Sequence, residues 1–180
     1  MKLPQVALSI CESEKESREM TEQPIGPWTR TSRVIKGQPE ELYAAFLDPA
    51  ALVDWLPPAE MTGEIHEFDA RVGGGYRMSL FHPPDEHAFR GKTSHREDMV
   101  NVRFVELAPP RLIVEIVSFV SADPAFLGEM TMTATFEEVS GGTEVTLLFE
   151  NLPRGLRPED NETGARLSLE QLARRIEGPH

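Results

Sequence analysis

Cysteine is nearly missing from this chain of 180 residues: Cys11 is the only one. An intrachain disulfide is therefore excluded, and a zinc site built on thiolates has too few ligands. That usage suits a reducing cytoplasm, which is the expected location. Cations are scarce as well. Lys and Arg number 18 against 30 Asp and Glu, a formal net charge of -12, and the longest basic run is Arg174-Arg175. Nucleic-acid backbones and anionic membrane surfaces need clustered cations, so neither is expected as a partner. No apolar stretch approaches the ~20 residues that span a bilayer, so no membrane insertion is expected. The N-terminus, "MKLPQVALSICESE", carries one Lys and a short apolar run broken by Pro4. No small-residue cleavage site follows, and Ile10 precedes Cys11 where a lipid-bearing cysteine has a small residue. It reads poorly as a signal peptide.

What is present is the composition of a globular protein, 39% hydrophobic and 27% charged, in a length that suits one domain with a real core. Residues 1–26 are polar and without sustained periodicity, and read as an extension, mobile or loosely docked. Organisation begins at "WTRTSRVIKG", a strand by composition. "PEELYAAFLD" then reads as a helix: Pro39 suits its first turn, Glu40 and Glu41 complement the dipole, and Leu42, Tyr43, Phe46 and Leu47 share a face. Asp48 caps a second short helix, "PAALVDWL", which Pro57-Pro58 ends.

Strands dominate the middle. "GEIHEFD", "YRMSLFH", "EDMVNVRFVEL", "RLIVEIVSFV", "EMTMTATFEEV" and "TEVTLLFE" alternate or run apolar, with turn signals between them. Tyr76, Met78 and Leu80 fall on one face, as do Val100, Val102 and Phe104, then Met130, Met132, Ala134 and Phe136, then Val145, Leu147 and Phe149. In "RLIVEIVSFV" the same reading puts Leu112, Val114 and Ile116 inward. Glu115 then faces the convex side, with Arg103 as its cross-strand partner. The cover for the inner face is "RPEDNETGARLSLEQLARRIEG". Ala165, Leu169, Leu172 and Ile176 form an amphipathic stripe there, and Gly178-Pro179 stops the helix. The whole predicts an α+β fold: about six or seven antiparallel strands, one long C-terminal helix over one face, and two short helices after the first strand.

"RVGGGYRMSLFH" invites a phosphate-loop reading, but such loops open a helix and carry a particular glycine and lysine spacing. A strand follows here, so the glycines read as a turn. Among His66, His82, His87, His95 and His180 there is no helical HExxH spacing. His66 and His82, with Glu67 or Asp85, are the one zinc arrangement weighed, and polar surface or cavity lining is the plainer reading. No G-x-S-x-G elbow occurs. The carboxylate pairs Glu40-Glu41, Asp85-Glu86, Glu97-Asp98 and Glu137-Glu138 read as solvated surface. No catalytic residue, metal or cofactor is assigned.

Several segments resemble one branch of the START-like (SRPBCC) superfamily, the branch named for activators of heat-shock-protein-90 ATPase. They are "FLDPAALVDWLPP", "FDARVGGGYRMSL", "VRFVELAPPRLIVE", "MTMTATFEEVSGGTEVTL" and "DNETGARLSLEQLA", and the resemblance covers about residues 27–178. It implies a helix-grip fold, in which a curved sheet wraps a long C-terminal helix and leaves an apolar cavity between them. Where related chains often carry Gly-Trp, this one has Gly164-Ala165, which implies a larger or differently filled mouth. The expected function is binding of a small hydrophobic molecule, lipid- or polyketide-like. Its expected lining is Trp55, Tyr76, Met78, Leu80, His82, Phe104, Ile116, Met132, Leu147, Gly164, Ser168 and Leu172. Arg77 is a doubtful polar contact, since alternation puts it on the other face. The alternatives are a cyclase- or hydrolase-like enzyme in the same cavity, tested first at His82 and His66, and an interaction domain that activates a chaperone ATPase. A homodimer stays open.

Overall fold

Alternation in residues 130–136 builds a strand with Met130, Met132, Ala134 and Phe136 buried and the intervening threonines half-buried. Six more strands join it in the computed structural model, which describes residues 26–84 and 91–178. In chain order they are β1 (Trp28–Ile35), β2 (Thr62–Asp69), β3 (Gly75–Phe81), β4 (Glu97–Ala108), β5 (Leu112–Phe119), β6 (Met130–Val139) and β7 (Gly142–Glu150). All pair antiparallel in the order β1-β7-β6-β5-β4-β3-β2. The sheet is a meander from β2 to β7, with β1 added beside β7.

Three helices complete the fold: α1 (Pro39–Phe46), α2 (Pro49–Trp55) and α3 (Pro158–Glu177). Each starts with Pro in its first turn, where the missing N–H costs nothing. The Asp48 carboxylate accepts from the Ala50 amide at 3.0 Å, the cap expected for α2. Glu159 and Asp160 stand at the positive end of α3, and Arg174 and Arg175 at its negative end. Ala165, Leu169 and Leu172 of the stripe are buried and Ile176 is half-buried. The segment read as a loop at "DPAFLG" holds a short 3-10 turn at Pro124–Phe126, with Asp123 capping it.

The helices and one face of the sheet share a single hydrophobic core. Phe46 and Trp55 pack with ring centroids 4.5 Å apart. α3 is tied to the α1–α2 end by Ser168 Oγ, which donates to the Leu56 carbonyl at 2.6 Å, and by a Gln171 bond to the Pro57 carbonyl. Asn161 on the same helix donates to Thr29 of β1 at 2.6 Å. The Arg175–Asp54 ion pair adds a surface link between α3 and α2.

The strand phases follow the sequence reading except in β5. Its buried residues are Ile113, Glu115 and Val117, while Leu112, Val114 and Ile116 are half-buried on the other face. Glu115 therefore points inward, and its pairing partners are Phe104 and Met132 rather than Arg103, which pairs with Ile116. The cause is a bulge at Val105. From the turn inward, Ala108 pairs with Leu112, Leu107 with Ile113 and Glu106 with Val114. Continued unbroken, that register would bring Phe104 opposite Ile116. The extra residue shifts it by one, so Phe104 meets Glu115. A second bulge on β2, between Ile65 and Glu67, releases His66 from the ladder.

The glycine triplet is a turn, as read. Gly73 has φ of +84°, its amide donates to the Phe104 carbonyl at 2.9 Å, and the Gly74 amide donates to Arg71 at 2.8 Å. These amides are engaged, so they form no anion cradle. Gly75 is required by close pairing: a Cβ there would lie 1.8 Å from the Val102 carbonyl oxygen.

Candidate functional site

The inner face beneath α3 is built from β3, β4, β5, β6 and β7. Tyr76, Met78, Phe104, Met132, Leu147 and Leu172 all belong to the core, with Leu80 half-buried against it. These seven of the expected lining residues share one core, whereas Ile116 lies on the outer face with Arg103 and Thr131. Trp55 is fully buried, and its Nε1 donates to the Ala45 carbonyl at 3.0 Å, which ties it into the α1–α2 unit. Ser168 is buried and bonded to Leu56. Beside it Gly164 has space: a Cβ would meet only Pro58 Cγ, at 4.0 Å. Arg77 is exposed on the outer face, where its Nε donates to Asn101 at 2.9 Å.

The feature that alternation missed is a pair of titratable groups in the middle of this apolar face. Glu115 is 2% exposed and Tyr76 is 7% exposed. Both side chains turn onto this face from the strands on either side of β4, near enough for each to shift the other's titration. Burial pushes the Glu115 carboxyl up from 4.5 to about 8, opposed only in part by the Tyr76 bond. Burial also holds the Tyr76 hydroxyl well above its usual value, with the Glu115 charge and hydrogen bond adding to this. Burial thus favours the uncharged form of both groups. The Tyr76 ring lies 6.0 Å from the Phe68 and Phe104 rings, so the pair is walled by aromatics on its β3 side.

A second polar cluster sits at the end of the same face. Asp98 is buried, in contrast to the solvated surface expected for Glu97-Asp98. It accepts from the Lys92 backbone amide and ammonium, and His82 Nε2 lies 3.5 Å from Asp98 Oδ2. Lys92 also stands over the Phe119 ring, 5.2 Å from its centroid.

His66 lies on the outer side. Its Nε2 is 2.8 Å from Ser79 Oγ, and that hydroxyl donates to Glu97 at 2.6 Å. His66 and His82 are thus engaged at different places, and His95 is exposed. Among the described residues no group of three or more His, Cys, Asp and Glu is placed to hold a metal ion. Cys11, Asp85, Glu86, His87 and His180 lie outside the described residues. Two solvent-open concavities are formed, of about 350 Å³ beside the glycine turn and about 550 Å³ between the start of α1 and β6; neither is lined by α3. No described helix is long and apolar enough to cross a membrane.

A seven-stranded curved sheet gripping a C-terminal helix, with two short helices after the first strand, defines a START-like domain. More narrowly, the chain belongs to the family of activator of Hsp90 ATPase homolog 1-like proteins, whose model matches residues 36–177. Among solved structures, protein CV1439 from Chromobacterium violaceum is 35% identical, with a TM-score of 0.72 over 84% of this chain and 98% of that one. The Aha1 dimer from Colwellia psychrerythraea shares the fold at 18% identity and a TM-score of 0.59, over 84% of this chain and 96% of that one. DynU16, a putative protein in the dynemicin biosynthetic locus, shares it at 17% identity and a TM-score of 0.59, over 83% of this chain and 47% of that one. No curated protein matches this chain.

Proposed function

We propose that the domain binds a small hydrophobic molecule between α3 and the inner face of the sheet. The observation that carries this reading is Glu115, a carboxyl buried without an ion pair in the middle of an apolar face. Such a group costs stability that a leucine or methionine of similar size would not, so its presence calls for a use. The surrounding side chains suit an irregular guest. Met78, Met130 and Met132 are buried there, and methionine's flexible thioether repacks easily. Space beside Gly164 supports entry past the α2 end of α3. Trp55, bonded to Ala45, acts as part of the wall.

The test is native mass spectrometry of gently purified protein, followed by extraction of any bound species. A co-purifying apolar mass is expected. A chain that is bare in that experiment and shows no thermal shift across a panel of lipids, sterols and polyketides overturns the reading.

Catalysis in the same place is the second reading, favoured by a neutral acid that reaches into an apolar site. Turnover of a bound species that ceases in Glu115→Gln is its test.

A further inference from the structure

The sheet has two free edges, and they differ. β2 carries Glu64, Glu67 and Asp69, and the bulge between Ile65 and Glu67 breaks its ladder. A bulge is an ordinary guard against the approach of another strand. β1 has neither a bulge nor a proline. All eight of its residues pair in unbroken register with β7, from Trp28–Glu150 to Ile35–Thr143. Alternate backbone N–H and C=O groups of such a strand point away from its neighbour, so its outer edge is a regular template for pairing. Trp28, Arg30, Ser32, Arg33 and Val34 are exposed along it, Trp28 at 49% and Val34 at 46%.

The charge on β1 is of the scarcer sign. Arg30 and Arg33 lie within the strand and Lys36 follows it, with no acid from Trp28 to Lys36, in a chain that carries 30 acids against 18 cations. Across the β1–β7 ladder the two arginines face Leu148 and Val145, while the β7 acids Glu144 and Glu150 face Val34 and Trp28. Among the described residues none of the three cations is in an ion pair. Lys36 gives its backbone amide to Glu177 at 2.9 Å, so the free ladder ends at Ile35. A second copy of β1 would bring cations against cations, which opposes self-pairing. An acidic strand meets no such opposition.

We propose that the free edge of β1 docks an extended acidic segment of a partner protein, which adds to the seven-stranded sheet as a further strand. Backbone bonds supply affinity and side-chain pairs supply selection in this mode. Arg30, Arg33 and Lys36 stand three residues apart. Paired strands keep their alternation, so acids at every third position meet all three cations in either strand direction. Trp28 and Val34 share the outer face with Arg30 and favour apolar residues opposite them. The preferred antiparallel segment is thus acid-x-apolar-acid-x-x-acid-x-apolar. This edge is separate from the inner face beneath α3, so its occupation does not depend on a ligand there.

The test uses the full chain and the peptide Glu-Thr-Val-Glu-Thr-Thr-Glu-Thr-Val, blocked at both ends, with binding read from the amide resonances of β1. It is expected to bind at least about tenfold more tightly than the same peptide with Lys for Glu, and to weaken as salt is raised. Of two copies N-methylated at alternate residues, one in each phase, only one is expected to lose binding, because a strand offers alternate amides to each neighbour. Arg30→Glu/Arg33→Glu is expected to reverse the preference between the Glu and Lys peptides. Absence of binding, equal affinity of the two N-methylated copies, or no preference for Glu over Lys in the wild type overturns the proposal. So does a dimer in sedimentation that the charge-reversed variant abolishes, which would assign the edge to a second copy. Contacts between residues 1–25 and β1 in the unbound chain would assign it to the chain's own N-terminus and overturn it equally.

Discussion

Tyr76 on β3 and Glu115 on β5 turn onto the same inner face on either side of β4, the strand that separates them. The two owe their placement to different causes. Tyr76 follows the plain alternation of β3, whereas Glu115 is turned inward by the bulge at Val105 in the neighbouring strand.

Stability should fall as pH rises. The Glu115 carboxyl titrates near 4.5 when unfolded and about 8 when folded. Below 4.5 both states hold the proton, and its contribution is fully present. Between 4.5 and about 8 the unfolded chain gives up the proton that the folded chain keeps, so unfolding is favoured progressively. This single group supplies a slope of at most about 1.4 kcal/mol per pH unit. Urea melts from pH 5 to pH 8 should show the decline, and Glu115→Gln should flatten it. An equal slope in the variant would remove Glu115 as the source.

Replacing the whole pair should stabilise the protein. Glu115→Leu/Tyr76→Phe removes the buried donors and acceptors together and is expected to raise the stability at neutral pH by about 1–3 kcal/mol. Tyr76→Phe alone is expected to gain less, because the buried carboxyl remains. Thermal melts of both variants measure the contrast.

The two tryptophans should separate in fluorescence. Trp28 is 49% exposed on β1, whereas Trp55 is fully buried against Phe46 and bonded to Ala45. Acrylamide is expected to quench about half of the emission readily in the wild type and almost none in Trp28→Phe. Trp55→Ala should cost about 3–5 kcal/mol in a denaturant melt.

The outer two glycines of the triplet should differ sharply. At Gly75 an added Cβ falls on the Val102 carbonyl, so Gly75→Ala must break the β3–β4 pairing, and loss of the folded state is expected. At Gly73 the space is open and only the positive φ is unfavourable, so Gly73→Ala should cost about 1 kcal/mol. Circular dichroism melts of the two single variants check this.

The helices and most strands were legible because each carried one clear period. β6 is the plainest case, with buried Met130, Met132, Ala134 and Phe136 set against the half-buried Thr131, Thr133 and Thr135. β5 was not, since "LIVEIV" is apolar on both faces and either phase is acceptable by pattern. A lone glutamate in such a run defaults to solvent, and only the bulge in β4 overrules that default. A bulge has no sequence mark here, because Val105 is as good a strand residue as its neighbours. Asp98 was missed for a related reason: its adjacency to Glu97 looked like surface, while β4 alternation turns it inward to Lys92. His66 and Ser79 met through the other bulge, which is equally silent in the sequence.

The bulge at Val105 is a spare link in the chain. Without that residue, Glu106 would still pair with Val114 and Phe104 would still meet Glu115, now in a continuous ladder. Deletion at this one position is therefore expected to keep the carboxyl on the inner face and to cost β4 only its local kink.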